Sequence, residues 1–472
     1  MNTARVVRNK AIGVCHGFLT LLIVGCMIDS VAPASGPPGQ GKASTIPETA
    51  VAYDLKEISA FEVPDAVRNR FITGVYTECQ SEPDPSVKRY PAFRSGKPLY
   101  GSFHIGGVSA EYKSGYDYAC ALDESAGTGC GYDRIYLDTN LNGDLTDDPC
   151  RVPMKDVPAQ ALFAIKTLRT QVCFETVAIR VTPEDSPEHR LEVMPRFMAY
   201  TDGPAYAMLV TTKAHTGAIR IGGIEFQAVL GHAASIQGWF DHPNTGLLLI
   251  PTKPSAGRPA LAGYEGGLLK HMHRQGDTWY RCAAPPNGDR LFVWPYPGPF
   301  GTLEIKSGGR PARRISAGGS LGSKDATLSL TQRLGERNLP PSDSYRLPAG
   351  DYQPQSMSFS FDSLSCLVLR NLHVDGRPRG RPLDDPSVYA VRIRENQPFV
   401  LDFSGKPQVL FALPAKDHRV KPGGSLEVKA VLIDPTLDIM FRSIRKGQQL
   451  DPKVVIKRAN GEIVAEGVMP FG

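Results

Sequence analysis

Ile219-Arg220-Ile221-Gly222-Gly223-Ile224-Glu225-Phe226-Gln227-Ala228-Val229-Leu230 is the stretch that sets the fold class. Apolar and polar side chains alternate around the Gly-Gly pair, the period-2 pattern of strands with one buried face. Glycine reaches left-handed backbone without a Cβ penalty, so two together inside such a pattern read as a tight reversal between paired strands. Similar short apolar runs, at Tyr100 to Tyr112, Val177 to Val181, Leu291 to Trp294 and Leu364 to Leu369, are bounded by turn residues. The 47 Gly and 40 Pro make up about 18% of the 472 residues, against roughly 12% in average proteins. That density vetoes helical bundles and coiled coils, while 41% hydrophobic residues suffice for packed cores. The expected fold is mainly β, several β-sandwich-like modules with little helix. One short helix is expected near Val157 to Lys166, with Asp156 as its cap and Pro158 in the first turn.

Phe103-His104-Ile105-Gly106-Gly107-Val108 echoes Ile219 to Ile224. A glycine-centred loop follows each: Asn142-Gly143-Asp144-Leu145 after the first, Gln237-Gly238-Trp239-Phe240 after the second. The echo divides the first half into related β-rich units at 51–155 and 156–255. A β-rich domain is expected over 256–385 and a C-terminal β-sandwich-like module over 386–472. In the latter, Ala459-Asn460-Gly461 joins two apolar runs, Val454 to Arg458 and Glu462 to Ala465, as a hairpin.

The N-terminus reads as an export signal. Arg5, Arg8 and Lys10 precede the apolar run Ala11 to Ile28, and Ala32-Pro33-Ala34 offers a cleavage site, so residues 1–34 form the signal and 35–50 a flexible linker. Ile23-Val24-Gly25-Cys26 supports a competing reading, a lipoprotein signal ending at residue 25 with Cys26 acylated as the only membrane attachment. Either way the mature chain is expected to be extracytoplasmic: secreted, periplasmic or an outer-surface lipoprotein. Beyond the signal lie Cys79, Cys120, Cys130, Cys150, Cys173, Cys282 and Cys366. In an oxidising compartment a disulfide is expected among the clustered Cys120, Cys130 and Cys150.

The formal net charge of +5 is modest, the basic stretch Lys306, Arg310, Arg313, Arg314 and Lys324 lacks interleaved aromatics, and the chain reads as exported, so no nucleic-acid partner is expected. The most chemically specific segment is Asp138-Thr139-Asn140-Leu141-Asn142-Gly143-Asp144-Leu145-Thr146-Asp147-Asp148-Pro149. Carboxylate or amide oxygens recur at loop positions 1, 3 and 5, and glycine occupies position 6. Hard cations take six to eight oxygens at about 2.3–2.6 Å, and alternate residues of a tight loop can converge on one point. The expected ligand residues for Ca²⁺ are Asp138, Asn140, Asn142, Asp144, Asp147 and Asp148, with weak affinity. An Asx-turn connection without metal explains the same residues. The second loop, Ala233 to His242, has no carboxylate at positions 1, 3 or 5.

The spacing resembles the calcium loop of EF-hands and dockerins, with two departures. Pro149 stands where those loops carry a bidentate glutamate, so Asp147 or Asp148 must supply that ligand, and Arg134 to Leu137 entering the loop is strand-like. Asp123-Glu124, Gly131-Tyr132-Asp133-Arg134, the loop itself and the ending Glu466 to Gly472 also resemble uncharacterised exported β-rich proteins of planctomycete type. That resemblance implies compartment and β architecture and brings no activity.

Other motifs are weaker. Gly318-Gly319-Ser320-Leu321-Gly322 fits the hydrolase pattern G-x-S-x-G, but its flanks supply neither a buried strand nor a following helix, so it reads as a surface turn. His271-Met272-His273 reads as exposed strand histidines, since nothing nearby completes a metal site. Trp239, Trp279 and Trp294 read as core aromatics. The leading expectation is a non-enzymatic exported or lipid-anchored β protein with a Ca²⁺-stabilised loop, in a surface or periplasmic binding or structural role toward a cell-envelope component or glycan. The rival is a secreted carbohydrate-active hydrolase using a dispersed carboxylate pair.

Overall fold

The computed structural model describes residues 46–63, 74–105, 116–162, 165–180, 190–232, 240–243, 245–253, 265–306, 315–323, 325–330, 334, 342–361, 364–371, 391–402, 408–413, 418–419, 426–434, 439–445, 448–449 and 453–468. The expected signal with Cys26, most of the linker, Gly106-Gly107, residues 233–239 of the second loop, and Arg310, Arg313, Arg314 and Lys324 of the basic stretch lie outside them. The protein is mainly β, built as β-sandwich-like modules from several sheets. The helical segments among the described residues are two three-residue 3-10 turns, Ala60–Glu62 and Ala159–Ala161. None is long and apolar enough to cross a membrane.

The expected helix near Val157 to Lys166 is therefore corrected to one 3-10 turn. Pro158, not Asp156, holds the cap position and supplies no side-chain cap bond, and Leu162 is already extended (φ −95°, ψ 138°). No side-chain cap extends the turn, and Ala161 is fully buried, packed with Cys173, Met194 and Val210.

The described chain falls into two compact units. The first lies within Ile23–His271 and Arg281–Trp294. Its strands are β1 (Val51–Asp54), β2 (Lys56–Ser59), β3 (Gly74–Glu78), β4 (Leu99–Ile105), β5 (Tyr116–Asp123), β6 (Arg134–Leu137), β7 (Leu168–Cys173), β8 (Val177–Arg180), β9 (Arg190–Tyr200), β10 (Ala205–Thr211), β11 (Lys213–Ile221), β12 (Ile224–Gly231), β13 (Gly246–Pro251) and β14 (Glu265–Leu268). One sheet runs β14-β13-β12-β11-β2. At its centre the Gly-Gly reversal is a two-residue hairpin, Ile221 opposite Ile224, with Gly222 and Gly223 at φ +57° and +83°. Both glycines are left-handed, as a turn matching strand twist requires.

A second sheet runs β3-β10-β9-β7 with β8 also on β9, and a third is β4-β5-β6. Phe103, Tyr118, Leu122, Ile135 and Leu137 from the third sheet share a core with Phe174, Ile179, Val193, Phe197 and Leu209 from the second. Alternation sends the intervening residues of β5, Ala119 and Ala121, to the opposite face, where they are buried with Tyr100, Tyr136 and Leu145. The β4-β5-β6 sheet is thus buried on both faces, which is why Ala119 to Asp123 are all buried and show no polar alternation. The outer face is covered by the loop that follows β6.

The second unit lies within Met272–Tyr280 and Pro295–Gly472. Phe300–Lys306 sits between Ser344–Pro348, antiparallel to it, and Phe399–Asp402, parallel. Gly350–Phe361 pairs with Ile315–Gly322 and Leu364–Asn371. Trp279, Leu303, Leu321, Leu328 and Phe359 share its core. Gly318 to Gly322, expected as a surface turn, is instead paired strand, with a register shift at Ser320/Leu321 and Gly319 at φ +98°. Glycines there loosen a strand without ending it. The C-terminal hairpin joins Lys453–Lys457 to Ile463–Val468. Its turn carries Gly461 at φ +86° and is closed by Gly461 N–H donating to the Arg458 carbonyl at 2.9 Å.

Candidate metal centre

Strand β6 delivers Asp138 to the sheet edge. The Asp138 N–H still donates to the Ala119 carbonyl (2.9 Å), so the loop starts from a fixed point, and Asp138 is buried. Its Oδ1 accepts from Asn142 N–H (3.2 Å) and its Oδ2 from Gly143 N–H (2.9 Å). Asn140 Oδ1 also accepts from Asn142 N–H (3.2 Å), and Asn142 Oδ1 from Asp144 N–H (2.6 Å). These successive Asx turns coil the backbone tightly. The coil needs left-handed backbone twice, at Gly143 (φ +75°) and at Leu141 (φ +61°). For leucine that conformation costs about 1–2 kcal/mol. Leu145 anchors the far side as a fully buried side chain.

The loop closes through its last two acids. Asp147 accepts from Asn142 Nδ2 (2.8 Å) and from Asn140 Nδ2 (3.3 Å). Asp148 Oδ1 accepts from Thr139 N–H (3.1 Å) and Thr139 Oγ1 (2.5 Å). Asp148 is 7% exposed, and its Oδ2 is buried with no hydrogen-bond partner. Burial pushes its carboxyl pKa up; Thr139 opposes this, and the charges of Asp138 and Asp147 add to it. A buried carboxylate oxygen without a donor, under the influence of like charges, is unfavourable.

Of the six expected ligand residues, Asp138, Asn140, Asn142, Asp147 and Asp148 are thus connected around one loop. The carboxylate of Asp144 is turned elsewhere. Thr146 N–H and Oγ1 bind its Oδ1 (2.9 and 2.5 Å), Arg89 Nη1 binds its Oδ2 (2.8 Å), and these contacts hold its pKa below the usual carboxylate value. No group of three or more His, Cys, Asp or Glu side chains among the described residues is arranged as a metal-ligand cluster. The donors here mix carboxylates with amide oxygens, the set that hard cations use.

A second segment, absent from the sequence reading, completes the loop. Lys88 and Arg89 N–H both donate to the Gly143 carbonyl (2.7 and 3.3 Å), Leu145 N–H donates to the Arg89 carbonyl (3.0 Å), and Lys88 Nζ donates to the Asn142 carbonyl (3.0 Å). These bases lie about fifty residues upstream, and nothing in their local sequence announces the pairing. Asp123 and Glu124, both fully buried, were also unassigned. Asp123 accepts from Arg94 and Ser95 N–H (3.0 and 2.7 Å). Glu124 gathers the N–H groups of Gly129, Cys130 and Gly131 with Thr128 Oγ1, shaping the neighbouring turn.

The expected disulfide among Cys120, Cys130 and Cys150 is corrected: all three are free thiols, as are Cys79, Cys173 and Cys282. The faces of the sheet explain it. Cys120 points into the core shared with the β3-β10-β9-β7 sheet, Cys150 packs on the opposite face beside Tyr136 and Leu145, and Cys130 is exposed on the turn. His273, expected to be exposed, is buried (3%), and so is its neighbour Met272 (2%), so both faces of this strand are covered. Trp279 and Trp294 lie in cores; Trp239 is outside the described residues.

A separate open groove of about 410 Å³ is lined by Glu57, Glu62 and Glu192 with Phe61, Met194 and Lys213. Its carboxylates are tied down: Glu57 pairs with Lys213 (2.9 Å), Glu192 accepts from Thr212 Oγ1 (2.9 Å), and Glu62 takes Ser59 N–H (3.4 Å) in a capping box. All three are exposed, unlike the general acid of a glycosidase, which sits in an apolar pocket. Comparison of the chain with protein-family models, with curated proteins and with solved structures returns no match.

Proposed function

We propose that this chain is an exported or lipid-anchored, non-enzymatic β protein whose Asp138–Asp148 loop takes a Ca²⁺ ion, and that it serves outside the cytoplasm as a binding or structural module of the envelope. The observation that carries the reading is the buried, unpartnered Oδ2 of Asp148 beside Asp138 and Asp147. A divalent cation would be held by Asp138, Asn140, Asn142, Asp147 and Asp148, and would supply the positive charge these oxygens lack. Its role would be structural. The loop roofs the outer face of β4-β5-β6 through Leu145, so holding the loop holds that core closed. Affinities near 10⁻⁴–10⁻³ M are adequate where ambient Ca²⁺ is high, as outside the cytoplasm. Glycan or another envelope component is the partner class proposed for the surface.

The test is a thermal melt of the purified protein in EDTA and in millimolar Ca²⁺. The reading expects the midpoint to rise with Ca²⁺ and the rise to vanish in Asp138→Ala. An unmoved midpoint, or the same rise in Asp138→Ala, overturns it.

A further inference from the structure

The strap Lys88-Arg89 lies against the acidic loop with its backbone and with both of its charges. Arg89 is largely exposed and reaches Asp144 Oδ2 at 2.8 Å, and Lys88 Nζ reaches the Asn142 carbonyl at 3.0 Å. The strap is itself fixed: Asp84 Oδ1 accepts from Ser86 N–H (2.9 Å) and Ser86 Oγ (2.6 Å), and a Cβ on Gly143 would stand 3.0 Å from the Ser86 carbonyl. Backbone and charge therefore do separate jobs. The backbone bonds to Gly143 and Leu145 hold the coil in shape before any cation arrives. The two side chains offset half of the four negative charges of Asp138, Asp144, Asp147 and Asp148. Cation affinity in such loops follows the net charge of the site.

Resting on the calcium reading above, we infer that Lys88 and Arg89 set the affinity of the site: their side chains are built-in counter-charges that offset the acids of the empty loop and hold its Ca²⁺ affinity low. They are positioning and tuning residues, not ligands. Removing one unit of positive charge beside a partly screened divalent site tightens binding by about three- to tenfold. The effect belongs to charge, so it shrinks as salt rises.

The experiment is a Ca²⁺ titration read by the thermal midpoint, giving half-saturation for wild type, Arg89→Gln, Lys88→Met, Arg89→Lys and the remote control Arg220→Gln. Arg220 pairs with Glu225 on the β11-β12 hairpin, away from the loop. The inference expects half-saturation to fall about three- to tenfold in Arg89→Gln and Lys88→Met, to stay at the wild-type value in Arg89→Lys and Arg220→Gln, and the gap to narrow in 0.5 M NaCl. Unchanged half-saturation in Arg89→Gln and Lys88→Met, with wild type binding normally, overturns the inference and leaves the calcium reading standing. Weaker binding in those variants also overturns it, since the strap would then be structural only. No Ca²⁺ response in wild type overturns both.

Discussion

Replacing Asp148 by asparagine should make the protein more stable than wild type without metal and less stable than wild type with calcium. In wild type, Asp148 Oδ1 is satisfied by Thr139 while Oδ2 is buried without a donor, next to the charges of Asp138 and Asp147. A buried polar atom left unpaired costs about 1–3 kcal/mol. Asparagine keeps an oxygen for Thr139 and removes the like charge. In EDTA the variant should therefore gain about 1 kcal/mol, roughly 2–4 °C for a unit of this size. Calcium at 10 mM, with Kd near 10⁻⁴–10⁻³ M, should add about 1.4–2.7 kcal/mol to wild type. The variant, short of a charged ligand, should gain far less and fall below wild type. The sign with pH follows from the raised pKa. The native carboxyl holds its proton to higher pH than the unfolded one, near 3.9, so this group's contribution to stability falls as pH rises above that value. The advantage of asparagine should therefore be present at pH 7 and absent near pH 3. Calorimetric or fluorimetric melts with EDTA or Ca²⁺ at these pH values decide it. A variant less stable than wild type in EDTA at pH 7, or one that responds to Ca²⁺ as wild type does, refutes the reasoning.

Burial lowers the pKa of His215 below the ordinary imidazole value, with Glu57 and Asp289 opposing, so the unfolded chain takes up the proton first as pH falls through about 6.5. Stability should drop below that pH, and drop less in His215→Leu, as melts at pH 7.5 and 5.5 would show. Gly74→Ala would put a Cβ 2.0 Å from the Leu209 carbonyl and push β3 off β10, costing about 2–3 kcal/mol in denaturant midpoints. Gly223→Ala meets open space and should cost only the left-handed backbone penalty of about 1 kcal/mol. Of the six cysteines found as free thiols, Cys130 should be labelled by a thiol reagent in the native state, Cys120 and Cys173 only after denaturation, and reducing agent should leave the midpoint unchanged.

What the sequence disclosed is what neighbours in the chain decide. The reversal at Gly222-Gly223 and the turn at Asn460-Gly461 are written in adjacent residues, and both are hairpins. The oxygen-bearing positions 138, 140 and 142 with Gly143 likewise dictate a coil of Asx turns wherever they sit. Long-range facts stayed hidden. Tyr118 to Leu122 is apolar throughout because both faces of its strand are covered, and no period marks that. The cysteines at 120 and 150 are close in sequence but point to opposite faces, so proximity in the chain misled. The helix expected after Asp156 is a single 3-10 turn because no side chain caps it and the chain is extended again at Leu162. Lys88 and Arg89 meet the loop only through folding.

The most direct test of the account is a crystal structure of the protein grown in 10 mM CaCl₂. The account predicts a single cation in the loop, with Asp148 Oδ2 and a carboxylate oxygen of Asp138 among oxygens at about 2.3–2.6 Å. A loop with no ion there, and Asp148 Oδ2 still without a partner, would contradict it.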